Sequence, residues 1–290
     1  MGAFVDESFT VNGRVFRGLR GGAGPCVLLL HGFSITADMW RLNLPALIEA
    51  GYSVLALDLP GHGASYRPAR PMNVTDVARD LFAVLDALAV TEVRVVGNSF
   101  GGAVASEMAL LQPERVRALV LVDALGFDPH LPVFHRANYW THLIVPGVAF
   151  VFGGRLGRRL AFERIRRMIY FAPERVPDGV TLLRYPGGWR HNHVGRGLVG
   201  LGVLWQMFTR RQRLGFAQRR AAIRAPALIV WGTHDQLLPI SHAYSAQALL
   251  PHARLRIFPR AGHAPNVEHA EAFNRDLIHF LYLNDYGPLL

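Results

Sequence analysis

Lysine is missing from this 290-residue chain; all 31 of its basic residues are arginine. We read that as a mark of genome composition and attach no chemistry to it. Cysteine is nearly absent. The single Cys26 excludes an internal disulfide, and its place before the apolar run Val27-Leu28-Leu29-Leu30 makes it a buried, inert thiol. No apolar stretch reaches the roughly 20 residues of a membrane span. Met1 to Thr10 has neither a basic n-region nor an apolar h-region, so no signal peptide is expected. His191 and His193 have no accompanying Cys/Asp/Glu cluster, so no metal is expected, nor any cofactor. The expectation is a soluble, cytoplasmic protein.

What is present is a large apolar fraction and an uneven charge. Hydrophobic residues make up 51% of the chain, enough for a sizeable core. The formal net charge is +10, yet residues 129–224 carry 17 arginines against only three acids, Glu163, Glu174 and Asp178. The remainder is mildly acidic, so the whole basic excess belongs to one segment.

Outside that segment, strand and helix patterns alternate. Ser8 to Leu19 reads as a hairpin turning at Asn12-Gly13. Strands are expected over Pro25–Leu30, Tyr52–Leu59, Glu92–Val96, Val116–Asp123, Pro226–Trp231 and Leu255–Phe258. Helices are expected over Trp40–Ala50 (ended by Gly51), Asp76–Ala89 (capped by Thr75), Gly101–Leu111, Ser241–Leu250 and Val267–Leu283. Such alternation implies an α/β fold with a parallel, doubly wound sheet. Residues 129–224 interrupt it with helical, arginine-rich stretches. They read as a helical cap inserted into a core of residues 1–128 and 225–290, over the carboxyl ends of the strands.

The most telling residues are Gly97-Asn98-Ser99-Phe100-Gly101, a G-x-S-x-G between the run Val93-Arg94-Val95-Val96 and a small-residue helix. Strand, sharp turn and helix form the setting of a nucleophile elbow, with glycines where a Cβ would collide. Serine needs a base to take its proton. Of 13 histidines, His263 lies in the loop between the last strand and the last helix, which returns to the same sheet edge. Asp235 follows the strand before it and would orient the imidazole; Asp123, ending an earlier strand, is the rival. The order Ser99, Asp235, His263 is that of α/β-hydrolases. Backbone N–H groups of Phe100 and of Phe33 would form an oxyanion hole. His31 and His62 read as loop-shaping residues, and His269 and His279 as bystanders on the closing helix.

On these motifs the chain resembles the α/β-hydrolase superfamily, serine-nucleophile branch. His31-Gly32-Phe33, Asp58-Leu59-Pro60-Gly61-His62-Gly63, the elbow, Trp231-Gly232-Thr233-His234-Asp235 and Gly262-His263 carry the resemblance. It implies a mostly parallel eight-stranded sheet, a cap inserted after the sixth strand and ester hydrolysis through an acyl-enzyme on Ser99. The elbow is also similar to that of carbon–carbon hydrolases of meta-cleavage products, but Phe33-Ser34-Ile35-Thr36 replaces their usual Gly-Pro-Gly run. A non-catalytic binding protein on a hydrolase scaffold is the reading outside enzymology.

The cap is rich in aromatics, and Trp140, Trp189 and Trp205 are candidate substrate contacts in an apolar roof. The expected substrate is therefore a hydrophobic ester. The apolar run Leu143–Phe152 and the arginine-rich helix pattern after Arg155 suggest peripheral contact with an anionic membrane, against the plainer reading of a solvated lid face. No nucleic-acid partner is expected, because the basic residues belong to the lid.

Overall fold

A computed structural model describes residues 3–129, 163–164, 166–177, 193–206 and 209–287. Eight strands form one sheet in the order β1-β2-β4-β3-β5-β6-β7-β8. They are β1 Phe4–Val11, β2 Arg14–Gly21, β3 Cys26–Leu30, β4 Ser53–Leu57, β5 Val93–Asn98, β6 Val116–Val122, β7 Ala227–Gly232 and β8 Arg254–Phe258. β2 runs antiparallel to both its neighbours, β1 and β4; every pair from β4 through β8 is parallel. The hairpin turns at Asn12 and Gly13, both at positive φ (50° and 72°), as a tight two-residue turn requires. The expected strands are all present.

The inner parallel strands β3, β4, β5, β6 and β7 are buried on both faces, as continuous β-branched and leucine runs predict, while the edge strand β8 is partly exposed. Helices α1 (Leu44–Glu49) and α8 (Ala270–Tyr286) pack one face around Trp40, Tyr52, Phe273 and Leu277. Helices α2 (Val74–Ala87), α3 (Phe100–Leu111) and α6 (Ser241–Leu249) cover the other around Leu81, Phe82, Val104 and Trp231. This two-sided layering is what brings the strands' carboxyl ends to a shared edge.

Three helix boundaries differ from the sequence expectation. Trp40–Ala50 is not one helix: a 3₁₀ turn over Ala37–Trp40 precedes α1, which starts only at Leu44. Pro45 has no N–H to donate back to Arg41, so it sits in the first turn of α1, where no intrahelical donor is needed. The cap of α2 is Asn73 rather than Thr75. Asn73 accepts the Asp76 N–H at 2.9 Å while Asp76 accepts the Asn73 N–H at 3.2 Å, a reciprocal box worth about 1 kcal/mol. Thr75 instead donates its hydroxyl to buried Glu107 at 2.8 Å. The closing helix is broken at His269 (φ −128°, ψ 44°) into α7, Pro265–Glu268, and α8.

The helical cap is inserted between β6 and β7. Its described parts are helical backbone at 166–169, a 3₁₀ turn Pro173–Arg175, α4 His193–Gln206 and α5 Arg210–Arg219. Close approach fixes α4 to the core. A Cβ on Gly202 would collide with the Met72 backbone, and one on Gly200 would stand 3.1 Å from the Phe33 ring. At the cap's base Arg220 is fully buried, its guanidinium 3.7 Å from the centre of the Phe216 ring. Burial pushes its pKa down to about 9.

Candidate active site

Ser99 sits between β5 and α3 with φ 52° and ψ −114°, a strained backbone for a residue with a Cβ. The strain is held from three sides. Ser99 N–H donates to Val122 O at 2.9 Å, and its carbonyl accepts the Ala103 and Leu125 N–H groups. A Cβ on Gly97 would collide with the Gly101 carbonyl, and one on Gly101 with the carbonyl of Leu30. The glycines of the motif are therefore steric requirements of the turn.

His263 and Asp235 meet in the buried edge: His263 Nδ1 lies 2.6 Å from Asp235 Oδ2. The other carboxylate oxygen accepts the N–H groups of Leu237 (2.8 Å) and Leu238 (2.9 Å). With Asp235 acceptor-only, Nδ1 carries the proton and Nε2 is left as the basic nitrogen. Asn98, the residue before Ser99, donates its Nδ2 to the carbonyl of His263 at 2.9 Å and to Val122 O at 3.2 Å. The histidine loop is thus tied to the elbow by the serine's own neighbour. Sequence reasoning missed Asn98, although it stood in plain view as the variable position of the motif.

Gly32 closes the other side, where an added Cβ would be 3.3 Å from Ser99 Cβ and 2.8 Å from Asn98 Oδ1. Phe33 follows it, its ring edge-on to Phe100 and His62 at centroid distances of 6.0 and 5.2 Å. Phe100 opens α3, so its N–H lacks an intrahelical acceptor. His31 shapes this loop. Nδ1–H donates to Gly32 O at 2.7 Å and Nε2 accepts the Leu59 N–H at 2.9 Å. Burial pushes its pKa down to about 4, so it stays neutral.

Asp123 lies fully buried behind the pair. It is also at positive φ (44°) and accepts the Gly232 N–H at 3.0 Å. Ligand atoms of Asp123, Asp235 and His263 lie within 4.8 Å of one another. Burial and the Asp235 charge hold the Asp123 carboxyl well above the usual carboxylate range. Since His263 Nδ1 and both Asp235 oxygens are already engaged, this group reads as the Asp235–His263 pair backed by Asp123 and not as a cation cage. Among the tryptophans, Trp140 and Trp189 lie outside the described residues. Trp205 is 80% exposed, so its indole is not part of an enclosed wall. His269 lies at the helix break and His279 is exposed on α8.

The sequence model of the alpha/beta hydrolase fold matches residues 25–270, and the chain belongs to that family. At the coarse level it is a hydrolase. It is 31% identical over 269 residues to a 2-hydroxy-6-oxononadienedioate/2-hydroxy-6-oxononatrienedioate hydrolase of Cupriavidus pinatubonensis, covering 90% of this chain and 88% of that one. It is 32% identical over 267 residues to the dihydrolipoyllysine-residue acetyltransferase component of the acetoin cleaving system of Cupriavidus necator. That match covers 90% of this chain but spans only 64% of the relative. Among solved structures, a membrane phospholipase A described as a bacterial virulence factor superposes with a TM-score of 0.73 at 26% identity, over 98% of this chain and 87% of that one.

Proposed function

We propose that this protein is a serine hydrolase that cleaves carboxylic esters of a hydrophobic substrate, with Ser99 as nucleophile, His263 as general base and acid, and Asp235 as its orienter. The observation that carries the reading is the Asp235–His263 pair held to the serine turn through Asn98. Ser99 Oγ attacks the ester carbonyl as its proton passes to His263 Nε2. Asp235 stabilises the resulting imidazolium. The N–H groups of Phe100 and Phe33 receive the oxyanion. The carbon–alkoxy bond then breaks and His263 gives its proton to the departing alcohol. Water attacks the acyl-enzyme, loses a proton to His263, and the acid leaves as Ser99 recovers its hydrogen. Hydrolysis of p-nitrophenyl esters from acetate to palmitate tests this. Ser99→Ala should lower kcat/KM at least about 1000-fold without loss of fold. Turnover retained in that variant would reject the assignment.

A second reading, a carbon–carbon hydrolase using the same residues, is favoured by one observation. The relative from Cupriavidus pinatubonensis, named a 2-hydroxy-6-oxononadienedioate/2-hydroxy-6-oxononatrienedioate hydrolase, matches over 88% of its length. Ser99-dependent cleavage of a 2-hydroxy-6-oxo-dienoate, with every ester left intact, would select it.

We infer in addition that the cap touches anionic lipid. Residues 179–224 hold nine arginines and no acid. Leu201 and Trp205, one helical turn apart on α4, are 58% and 80% exposed. Among the described residues no helix is long and apolar enough to cross a membrane. The apolar run Leu143–Phe152 lies outside the described residues. Sedimentation with anionic vesicles should weaken as salt rises and as Trp205→Ala is introduced. Binding indifferent to both would reject the contact.

A further inference from the structure

Glu268 has no place in the scheme above, yet its carboxylate touches both the cap and the histidine loop. It ends α7, five residues after His263. Oε2 accepts the N–H of Gly262 at 2.6 Å, and Oε1 accepts the N–H of Ala172 at 3.0 Å. The Phe171 N–H lies nearby and helps to offset the cost of burying the charge. Ala172 and Phe171 belong to the cap where it returns from the helical residues 166–169; Gly262 is the immediate neighbour of His263. A further bond runs beside this clip, from His263 N–H to Ile169 O at 2.6 Å. The two backbones approach so closely that a Cβ on Gly262 would collide with the Ile169 carbonyl. Tyr170 and Val176 of the cap close the contact by packing on Ala264 and Val267.

The choice of a carboxylate is chemically specific. N–H donors converge on it from two separate backbones, and only an acceptor-only group with two oxygens serves both sides. A glutamine would present an amide N–H to one of those donors. Burial raises the Glu268 pKa, so the fold holds this group against a desolvation cost with no cation bonded to it among the described residues. The alternative, a carboxylate merely finishing α7, does not explain bonds that reach 96 residues along the chain.

We propose that Glu268 is a positioning residue that clips the cap's return segment to the histidine loop, so that seating of the cap fixes the place of the His263 imidazole. The kinetic consequence rests on the serine-hydrolase reading; the clip itself does not. The test therefore has two arms on the full-length protein, comparing wild type with Glu268→Gln and Glu268→Asp. Amide exchange read by mass spectrometry reports the clip without any substrate. In Glu268→Gln, exchange should rise in both peptides 166–177 and 259–268 while the β5 peptide stays protected. Ester kinetics then report the coupling: kcat should fall roughly 10- to 100-fold with KM little changed, as expected of a misplaced base and not of a lost binding surface. Glu268→Asp, which keeps both oxygens on a shorter stem, should recover part of the loss. Exchange unchanged in either peptide overturns the clip, whatever the activity. Loosened exchange with full kcat overturns the positioning role. Loosened exchange in a wild-type background that shows no Ser99-dependent turnover upholds the clip and rejects the hydrolase reading instead.

Discussion

The carboxyl edge of the sheet has two halves that treat buried acids in opposite ways. Beyond β3 and β4, the buried Asp38 and Asp58 and the exposed Asp6 surround one arginine. Arg17, 2% exposed, lies 2.6 Å from Asp6, 2.9 Å from Asp38 and 3.3 Å from Asp58, and Arg41 adds a 2.6 Å bond to Asp38. The two arginines hold the Asp38 carboxyl below its ordinary range despite its burial, while burial still pushes Asp58 up to about 6 against the pull of Arg17. Beyond β6 to β8, Asp123, Asp235 and Glu268 are also buried or half-buried. Among the described residues no arginine pairs with any of them; they are held by N–H donors and by His263. A neutralised cluster has spent its charge on holding two loops together. Asp235, facing no arginine, leaves its field free to act on His263, the base of the proposed mechanism. The contrast separates scaffold from chemistry where burial alone does not.

The largest expected effect breaks the contrast on the chemical side. Asp235→Asn leaves the shape of the site but reverses the donor at His263 Nδ1, and kcat on the best ester should fall about 10⁴-fold, with little change in the urea midpoint. If Asp123 is the working partner instead, the loss stays under roughly tenfold and passes to Asp123→Asn. Next comes the scaffold side. Arg17→Met leaves buried Asp58 without a cation and Asp38 with Arg41 alone, and should cost about 3–5 kcal/mol in urea unfolding, with kcat/KM per folded molecule preserved. A variant that kept its stability but lost activity would erase the distinction between the two halves.

Most of this edge was legible in the sequence because backbone rules write it there. The elbow glycines, the Asn12-Gly13 turn and the β-branched runs each follow from steric demands within a few residues. Strand order and the α/β-hydrolase residue order put Asp235 beside His263 with Asp123 as the rival, and the side-chain contact is with Asp235. What stayed hidden depends on contacts distant in the chain. Arg17 looks like any arginine of a hairpin strand until three acids from three segments close around it. Asn98 and Glu268 carry no signature either, since their partners are main-chain groups, which no side-chain pattern reveals. Pro45 was visible but was outweighed by the apolar periodicity around it. Trp205 was expected under a roof because aromatic content says nothing about which face of a helix a residue occupies.

The smallest expected effect sharpens the comparison by pH. Burial and the Asp235 charge raise the Asp123 pKa above its unfolded value, so across that interval the native state holds a proton that the unfolded chain has released. The stability Asp123 contributes is therefore complete below the unfolded carboxylate pKa of about 4 and is lost as pH rises toward the native pKa. Asp123→Asn removes this dependence while its amide oxygen still takes the Gly232 N–H and its NH₂ can donate toward Asp235. Thermal midpoints of the two proteins, measured from pH 4 to 9, should show the variant gaining on wild type as pH rises. The opposite slope belongs to Asp38, whose lowered pKa makes its contribution fade in acid, so Asp38→Asn should cost most at neutral pH and least near pH 3. Parallel curves for Asp123→Asn and wild type would mean that Asp123 ionises as freely as an exposed acid, and that its pairing with Asp235 holds no proton.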